Sequence, residues 1–172
     1  MNKIITAATG ITLALTVGCS TIAPNSSALP STATTADRAA ALKADVVLQL
    51  KNPAVQNGFK NALVLAGRQA MQRATSDADR VAIANQMWAA ASAFNSLVTG
   101  TAISADQVSA TVNSFTTGLD VAKYGDFINA ANLAWSLVYP QLQSADDSGL
   151  WRTWMGILAD AATQVASSYK TN

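Results

Sequence analysis

Apolar residues recur at spacings of three and four between residues 37 and 172, and this region lacks the alternating Val, Ile and Thr runs that strands require. The pattern predicts an all-α fold. A first helix is expected from Asp37 to Lys51, ending at Asn52 because Pro53 disfavours a helical residue before it. The apolar face of this helix is predicted to hold Ala39, Leu42, Val46 and Leu50.

A second helix is predicted to begin at Pro53, since proline suits the first turn of a helix, and to fade near Thr75. Asn57 and Gly58 lie within it and leave a local turn as an alternative. The expected apolar stripe of this helix is Val55, Phe59, Ala62, Leu63, Ala66 and Ala70.

A third helix is predicted to start after Ser76, because serine is a favourable N-cap and Asp77 and Asp79 then lie at the positive end of the helix dipole. Gly100 is predicted to end this helix in the left-handed conformation that glycine adopts readily. The residues expected on its buried face are Ala84, Met87, Trp88, Ala91, Phe94 and Val98.

The sequence Ser-Ala-Asp-Gln at residues 104–107 matches the capping box, in which Ser and Gln satisfy each other's backbone donors. A fourth helix is therefore expected there, and it should stop near Gly118. A fifth helix is predicted around Phe127 to Gln143, with Pro140 kinking or ending it. The apolar residues expected in the fourth helix are Val108, Val112 and Phe115.

The last helix has the clearest periodicity and is predicted at residues 149–169. Five or six helices joined by short connections most economically form an antiparallel bundle with shallow crossing angles. Residues 37–172 are accordingly expected to form one helical-bundle domain. The apolar face of the last helix is predicted to hold Leu150, Trp154, Ile157, Leu158, Ala161, Val165 and Tyr169.

The first eighteen residues have the layout of a secretory signal peptide. A short polar start carrying Lys3 precedes an apolar stretch from Ile4 to Val17, and the small residue Gly18 comes next. The apolar stretch is shorter than the roughly 20 residues that a membrane-spanning helix needs. Residues 1–18 are therefore predicted to be cleaved from the mature protein.

The segment at the end of this stretch, Leu15-Thr16-Val17-Gly18-Cys19, finishes with the only cysteine of the chain. This segment resembles the lipobox of bacterial lipoproteins, although Thr16 occupies the position at which that class usually has leucine. The resemblance covers residues 1–20 and implies a diacylglyceryl group on the Cys19 sulfur, with an acyl chain such as palmitate on the new amino terminus. An ordinary cleavage that leaves a free thiol is the alternative.

In Gram-negative members of the lipoprotein class, an aspartate directly after the cysteine favours retention in the inner membrane. This chain has Ser20 at that position. The resemblance therefore implies sorting to the outer membrane, with a lipid anchor facing the periplasm. Two or three acyl chains make such an anchor effectively permanent.

Residues 19–36 are predicted to form a flexible tether, because residues 20–36 contain two prolines, little apolar bulk and no charge. A flexible chain of that length spans about 20 to 25 Å. The tether is expected to let the folded domain stand off the membrane.

Eleven basic residues oppose ten acidic ones, all of them aspartate, and histidine is absent. Loss of Lys3 with the signal balances the side-chain charges, so no nucleic-acid partner is expected. Without histidine there is no Ser-His-Asp or Cys-His system and no histidine ligand for a metal. The interpretation is that the protein is not an enzyme and uses no metal or other cofactor.

Carboxylates near one another have structural explanations, and no catalytic residue is predicted. Helices are predicted to begin at the pair Asp77 and Asp79 and at the pair Asp146 and Asp147. The pair Asp120 and Asp126 lies in a connection. Arg68, Arg73 and Arg80 are expected to lie on a solvated face. The three carboxylate pairs are Asp77 with Asp79, Asp120 with Asp126, and Asp146 with Asp147.

The four tryptophans are many for a chain with so few aromatic residues. Trp88, Trp135 and Trp154 are expected in the core. Trp151 is rotated away from the apolar stripe of the last helix and is a candidate for a partner surface, since tryptophan is enriched at interfaces.

The leading hypothesis for function is an outer-membrane-anchored periplasmic lipoprotein that acts through protein contacts, with an accessory, assembly or structural role. Its expected partners are the membrane, through the anchor, and an envelope protein. The alternative is a helical carrier of a lipid or other apolar ligand, with Met87, Trp88 and Trp135 lining the cavity. A hydrolase using Asp120 or Asp126 ranks last.

Overall fold

The computed structural model describes residues 30, 32–100, 103–117, 128–129, 132, 135–136, 138–143 and 147–171. These residues are helical apart from caps and turns and include no β-strand, which confirms the predicted all-α helical bundle. The described residues between 128 and 143 are helical as well. The helices with described bounds are α1 (Thr35–Lys51), α2 (Pro53–Arg73), α3 (Asp77–Thr99), α4 (Ala105–Thr117) and α5 (Ser148–Ser167), and a 3₁₀ turn (Ser168–Thr171) follows α5.

Helix α5 is the centre of the described structure. It packs most extensively against α3 and next against α2, whereas α2 and α3 approach each other much less. The Arg152 side chain donates to the carbonyl of Val98, near the end of α3, so α3 and α5 run antiparallel. Phe59 of α2 contacts Trp154 of α5, and Gly67, further along α2, contacts Val165, further along α5, so α2 runs in the same direction as α5.

Helix α1 begins earlier than predicted. Thr34 and Asp37 form a capping box in which the Asp37 N–H donates to Thr34 Oγ1 at 3.2 Å and the Thr34 N–H donates to Asp37 Oδ2 at 2.9 Å. The hydrogen bond from the Thr34 hydroxyl lowers the pKa of the Asp37 carboxyl. The predicted tether therefore extends too far, since Thr35 and Ala36 belong to α1; most of residues 19–31 lie outside the described residues.

The boundary between α1 and α2 is where the sequence predicts it. Asn52 ends α1 and caps α2, with its Oδ1 accepting the Ala54 N–H at 2.9 Å, and Pro53 is the first residue of α2. Helix α2 continues through Asn57 and Gly58, so the alternative of a local turn there is wrong.

Two further predicted starts are confirmed, and α3 ends at Gly100 as predicted, although the predicted conformation of Gly100 is wrong. The Asp79 N–H donates to Ser76 Oγ at 3.1 Å, and Ser104 exchanges hydrogen bonds with Gln107 at 3.1 and 3.2 Å. Gly100 has a φ of −62° and is extended rather than left-handed. Its N–H bonds the Ser96 carbonyl, and the chain then leaves α3 without needing positive φ.

Pro140 does not end a helix, because residues 138–143 are all helical. The Phe115 side chain and Gly118 lie outside the described residues. No helix in the described part of the chain is both long and apolar enough to cross a bilayer.

The burial of the tryptophans differs from the prediction. Trp154 is fully buried and Trp135 is half-buried against the core, but Trp88 is 42% exposed. Trp88 lies about 100° around α3 from the buried Met87. The other residues buried on α3 are the predicted Ala84, Ala91 and Phe94, together with Ile83 and Ala90.

Trp151 lies inside the protein, at 7% exposure, so its proposed place on a partner surface is corrected. Its ring centroid lies 5.8 Å from that of Tyr139 in an edge-to-face contact. Because neighbouring helices cover α5 on more than one side, its buried face is wider than the single stripe that periodicity indicates. The buried face of α1 is narrower than its predicted apolar face, since Leu50 is buried but Leu42 is 56% exposed.

Two ion pairs join α5 to the first two helices. Lys51 Nζ lies 3.0 Å from Asp147 Oδ2, and Lys60 Nζ lies 3.0 Å from Asp160 Oδ2. Asp147 is also the N-cap of α5, and its Oδ1 accepts the N–H groups of Gly149 and Leu150. The hydrogen bond from Lys51 lowers the pKa of Asp147, and that from Lys60 lowers the pKa of Asp160.

These lowered pKa values predict a loss of stability in acid. A carboxyl whose folded-state pKa lies below its unfolded value of about 3.9 stabilises the fold fully above that value, and the contribution disappears as the pH falls through the folded-state pKa. We expect the unfolding temperature, followed by circular dichroism at constant ionic strength, to fall below about pH 4. The Asp147→Asn/Asp160→Asn variant should show a shallower fall, and an equal fall would contradict the assignment.

Candidate functional site: a polar cleft between two helices

A cleft of about 1090 Å³ lies between α2 and α3, with the end of α5 as its floor. It is partly open to solvent. The residues contributed by α2 are Arg68, Met71 and Gln72, and those contributed by α3 are Asp77 and Arg80. The floor consists of Thr163, Gln164, Ser167, Ser168 and Tyr169.

One wall of the cleft is formed by α2, which packs closely on α5. A Cβ atom at Gly67 would lie 2.8 Å from Cγ1 of Val165 and closer still to Cγ2, so only glycine allows the observed approach. Arg68 follows directly in the sequence and is exposed at the cleft. The other wall is the first turn of α3, which Ser76 caps.

The cleft carries an excess of positive charge. Arg80 Nη1 lies 3.0 Å from Asp77 Oδ1, so these two charges compensate each other. Arg68 is exposed and has no hydrogen-bond or ion-pair partner among the described residues. One guanidinium therefore remains available to an anionic group, with which arginine forms paired, charge-assisted hydrogen bonds.

Polar groups on the cleft floor are partly used within the helix. The Thr163 hydroxyl donates to the Ala159 carbonyl at 2.8 Å, and the Ser168 hydroxyl donates to the Val165 carbonyl at 2.6 Å. Gln164 Nε2 donates to Asp160 Oδ2 at 3.1 Å, which leaves the Gln164 carbonyl oxygen as an acceptor.

Three other polar side chains of the cleft keep their hydrogen-bonding capacity. Gln72, Ser167 and Tyr169 make no side-chain hydrogen bond within the part of the chain that the structure describes. Met71 is buried and Tyr169 half-buried, so the cleft also has an apolar side. The arrangement suits binding of a polar, negatively charged ligand.

The described carboxylates have structural roles. Asp79 accepts from Thr75 and Ser76 at the start of α3, and Asp147 caps α5. Asp77, the carboxylate of the cleft, is paired with Arg80. No group of three or more metal-ligating side chains occurs among the described residues.

Several residues that the sequence singles out as candidates for functional sites have no described position. Cys19, Asp120, Asp126 and Asp146 lie outside the described residues.

No known protein family, curated protein or solved structure matches this chain.

The three residues predicted to line an apolar cavity are not brought together. Met87 is buried at 2% exposure, whereas Trp88 points to solvent. Trp135 packs against Tyr139, with ring centroids 5.4 Å apart. The carrier hypothesis therefore gains no geometric support from this set.

Sequence reasoning missed the cleft. It grouped Arg68, Arg73 and Arg80 as a solvated face, but Arg68 and Arg80 line the cleft and Arg73 does not. Glycine is disfavoured in helix interiors unless packing requires it, so Gly67 is a local signal of close approach. Gly58 and Gly156 also lie inside helices, and the sequence does not distinguish Gly67 from them.

Proposed function

We propose that the chain is a lipoprotein of the bacterial outer membrane, anchored through Cys19, that faces the periplasm and acts by binding another envelope protein. The observation that carries the proposal is the lipobox-like segment ending in the only cysteine of the chain. Residues 20–33 separate that cysteine from the cap of α1, and a flexible chain of this length spans about 20 Å. The bundle would therefore be free to meet a partner beside the membrane.

The exposed face of α3 supports a role in protein binding. From Val81 to Thr99 this helix carries no charged residue, and the side chains of Val81 and Trp88 are both exposed. Tryptophan residues frequently dominate the energetics of protein interfaces, and an uncharged surround lets a partner cover them without removing charges from water. Trp88, rather than Trp151, is thus the aromatic side chain we assign to the partner surface.

The anchor is tested by Cys19→Ser expressed in the native bacterium. We expect this variant to move from the outer-membrane fraction to the soluble or signal-retaining fraction, because it lacks the sulfur that carries the diacylglyceryl group. Ser20→Asp is the matched control and should remain lipidated but shift to the inner membrane. An unmodified thiol, or a start other than residue 19, in the intact mass of the natural protein would overturn the anchor.

The partner role is tested by crosslinking in intact cells followed by purification of the chain. A reproducible envelope protein that is lost with Trp88→Ala and kept with Leu65→Ala would support the proposal. Both residues are exposed and apolar, on α3 and α2 respectively, so neither variant should alter the fold. Recovery of only abundant porins and lipoproteins by all three proteins would count against it.

A further inference from the structure

The cleft between α2 and α3 has the size of a binding site for an extended molecule. Its volume of about 1090 Å³ lies slightly above the range for small-molecule pockets, which is roughly 300 to 1,000 Å³. Small-molecule pockets bury most of their ligand, whereas this cleft is about half open to solvent. That shape favours a segment of a longer chain over an enclosed small molecule.

The charges of the cleft favour a carboxylate. The uncompensated Arg68 presents a planar fork of donors that matches the two oxygens of a carboxylate. Asp77 lies in the same cleft, and its repulsion acts more strongly on a doubly charged phosphate than on a singly charged carboxylate. The pairing of Arg80 with Asp77 reduces this repulsion, and Arg68 is left as the uncompensated charge of the cleft.

The amide side chains of the cleft favour a peptide backbone. Gln72 on α2 offers both a donor and an acceptor, which is the combination that a peptide group presents. The side-chain amide of Gln164, on the floor of the cleft, already donates one N–H to Asp160. Its carbonyl oxygen is free to accept a peptide N–H. Met71 and Tyr169 supply apolar contact for a side chain of the bound segment.

We propose that this cleft binds an extended acidic segment of a partner protein, with Arg68 holding a carboxylate and the amides of Gln72 and Gln164 pairing with the backbone. The proposal rests on the proposed function only for the source of the segment, an envelope protein. Binding itself is a property of the folded bundle and is independent of the anchor.

The experiment uses the full-length mature protein and two pools of fluorescein-labelled octapeptides. Each peptide in the first pool carries two aspartates at varied positions among random neutral residues, and the second pool has asparagine at those positions. We expect fluorescence anisotropy to show at least tenfold tighter binding of the aspartate pool, and the difference should shrink as NaCl rises from about 50 to 300 mM.

Arg68→Gln should weaken binding of the aspartate pool about tenfold, and Arg68→Lys should restore part of the loss because it keeps the charge without the fork. Arg38→Gln removes another exposed arginine, from α1 and outside the cleft, and should leave binding unchanged. Circular dichroism of each variant checks that the helices persist.

Equal binding of the two pools, absence of binding, or an unaffected Arg68→Gln variant would each overturn the proposal. Displacement of the peptide by inorganic phosphate at a concentration where acetate has no effect would instead assign the cleft to phosphate groups. Repeating the titration with Cys19→Ser separates this result from the anchor. A peptide site that survives in that variant stands even if lipidation is disproved, and the reverse also holds.

Discussion

Replacing Trp154 with alanine is expected to lower the free energy of unfolding by about 3 to 5 kcal/mol, the usual range for removing a buried tryptophan. The side chain is fully buried and meets the Phe59 ring edge-on, with centroids 5.0 Å apart. Its indole N–H also donates to the carbonyl of Leu50 at 3.2 Å. Trp154 thus packs in the core between α2 and α5, and its hydrogen bond to Leu50 attaches the end of α1 to this core.

The Leu50 carbonyl needs this donor because of how α1 ends. In a continuous helix it would accept the N–H of Ala54, but that N–H donates to the side chain of Asn52. Trp154 and the Gln56 amide, at 2.8 Å, satisfy the carbonyl instead. Trp154→Phe keeps most of the packing and loses one of these donors, so we expect a smaller loss of about 1 to 2 kcal/mol.

Urea denaturation followed by circular dichroism measures both variants. Trp88→Ala is the matched control, because the same residue type is removed from an exposed position, and its effect should stay within about 0.5 kcal/mol. Similar losses for Trp154→Ala and Trp88→Ala would show that Trp154 is not the core residue described. A loss for Trp154→Phe equal to that for Trp154→Ala would mean that the hydrogen bond, not the packing, dominates.

The helices could be predicted because their signals are local. Asn52, Ser76, and the box of Ser104 and Gln107 each satisfy backbone donors within three residues of themselves, and Pro53 has no N–H that needs an acceptor. The box formed by Thr34 and Asp37 carries the same kind of signal. It was missed because the surrounding Ser, Thr, Ala and Pro residues are typical of a flexible segment.

The packing of each helix could not be predicted in the same way. Met87 and Trp88 are both apolar and adjacent, so periodicity allows either to face the core, and contact with α5 selects Met87. Likewise, Trp151 is buried because α5 is the central helix, which no local pattern reveals.

The cleft is a product of tertiary structure. Arg68 and Arg80 lie on different helices, and Tyr169 joins them from the end of the chain. None of these residues has a recognisable binding motif around it, and each is ordinary for a helix surface. They meet because the end of α5 packs against both α2 and α3, near the short connection that joins those two helices.

Gly67→Ala is expected to destabilise the protein, although alanine is the better helix former. The added methyl group would overlap the Val165 side chain, which is itself buried at 2% exposure. Overpacking of this kind costs about 1 to 3 kcal/mol, and the gain in helix propensity offsets up to about 1 kcal/mol. We expect a net loss of about 1 to 2 kcal/mol in urea denaturation.

Gly156→Ala is the matched control, since no atom would lie within 4 Å of the new methyl group and the position is inside α5. This variant should gain up to about 1 kcal/mol from helix propensity alone, giving the opposite sign. A gain for both variants would show that α2 and α5 separate easily at Gly67.

Combining Gly67→Ala with Val165→Ala tests the contact itself. Val165→Ala alone loses buried methyl groups and is destabilising, but it also opens the space that the methyl group of Gly67→Ala requires. The double variant should therefore be more stable than the sum of the single effects predicts, by about 0.5 to 3 kcal/mol. Strict additivity would mean that the two residues do not touch, and the approach of α2 to α5 beside Arg68 would then need another cause.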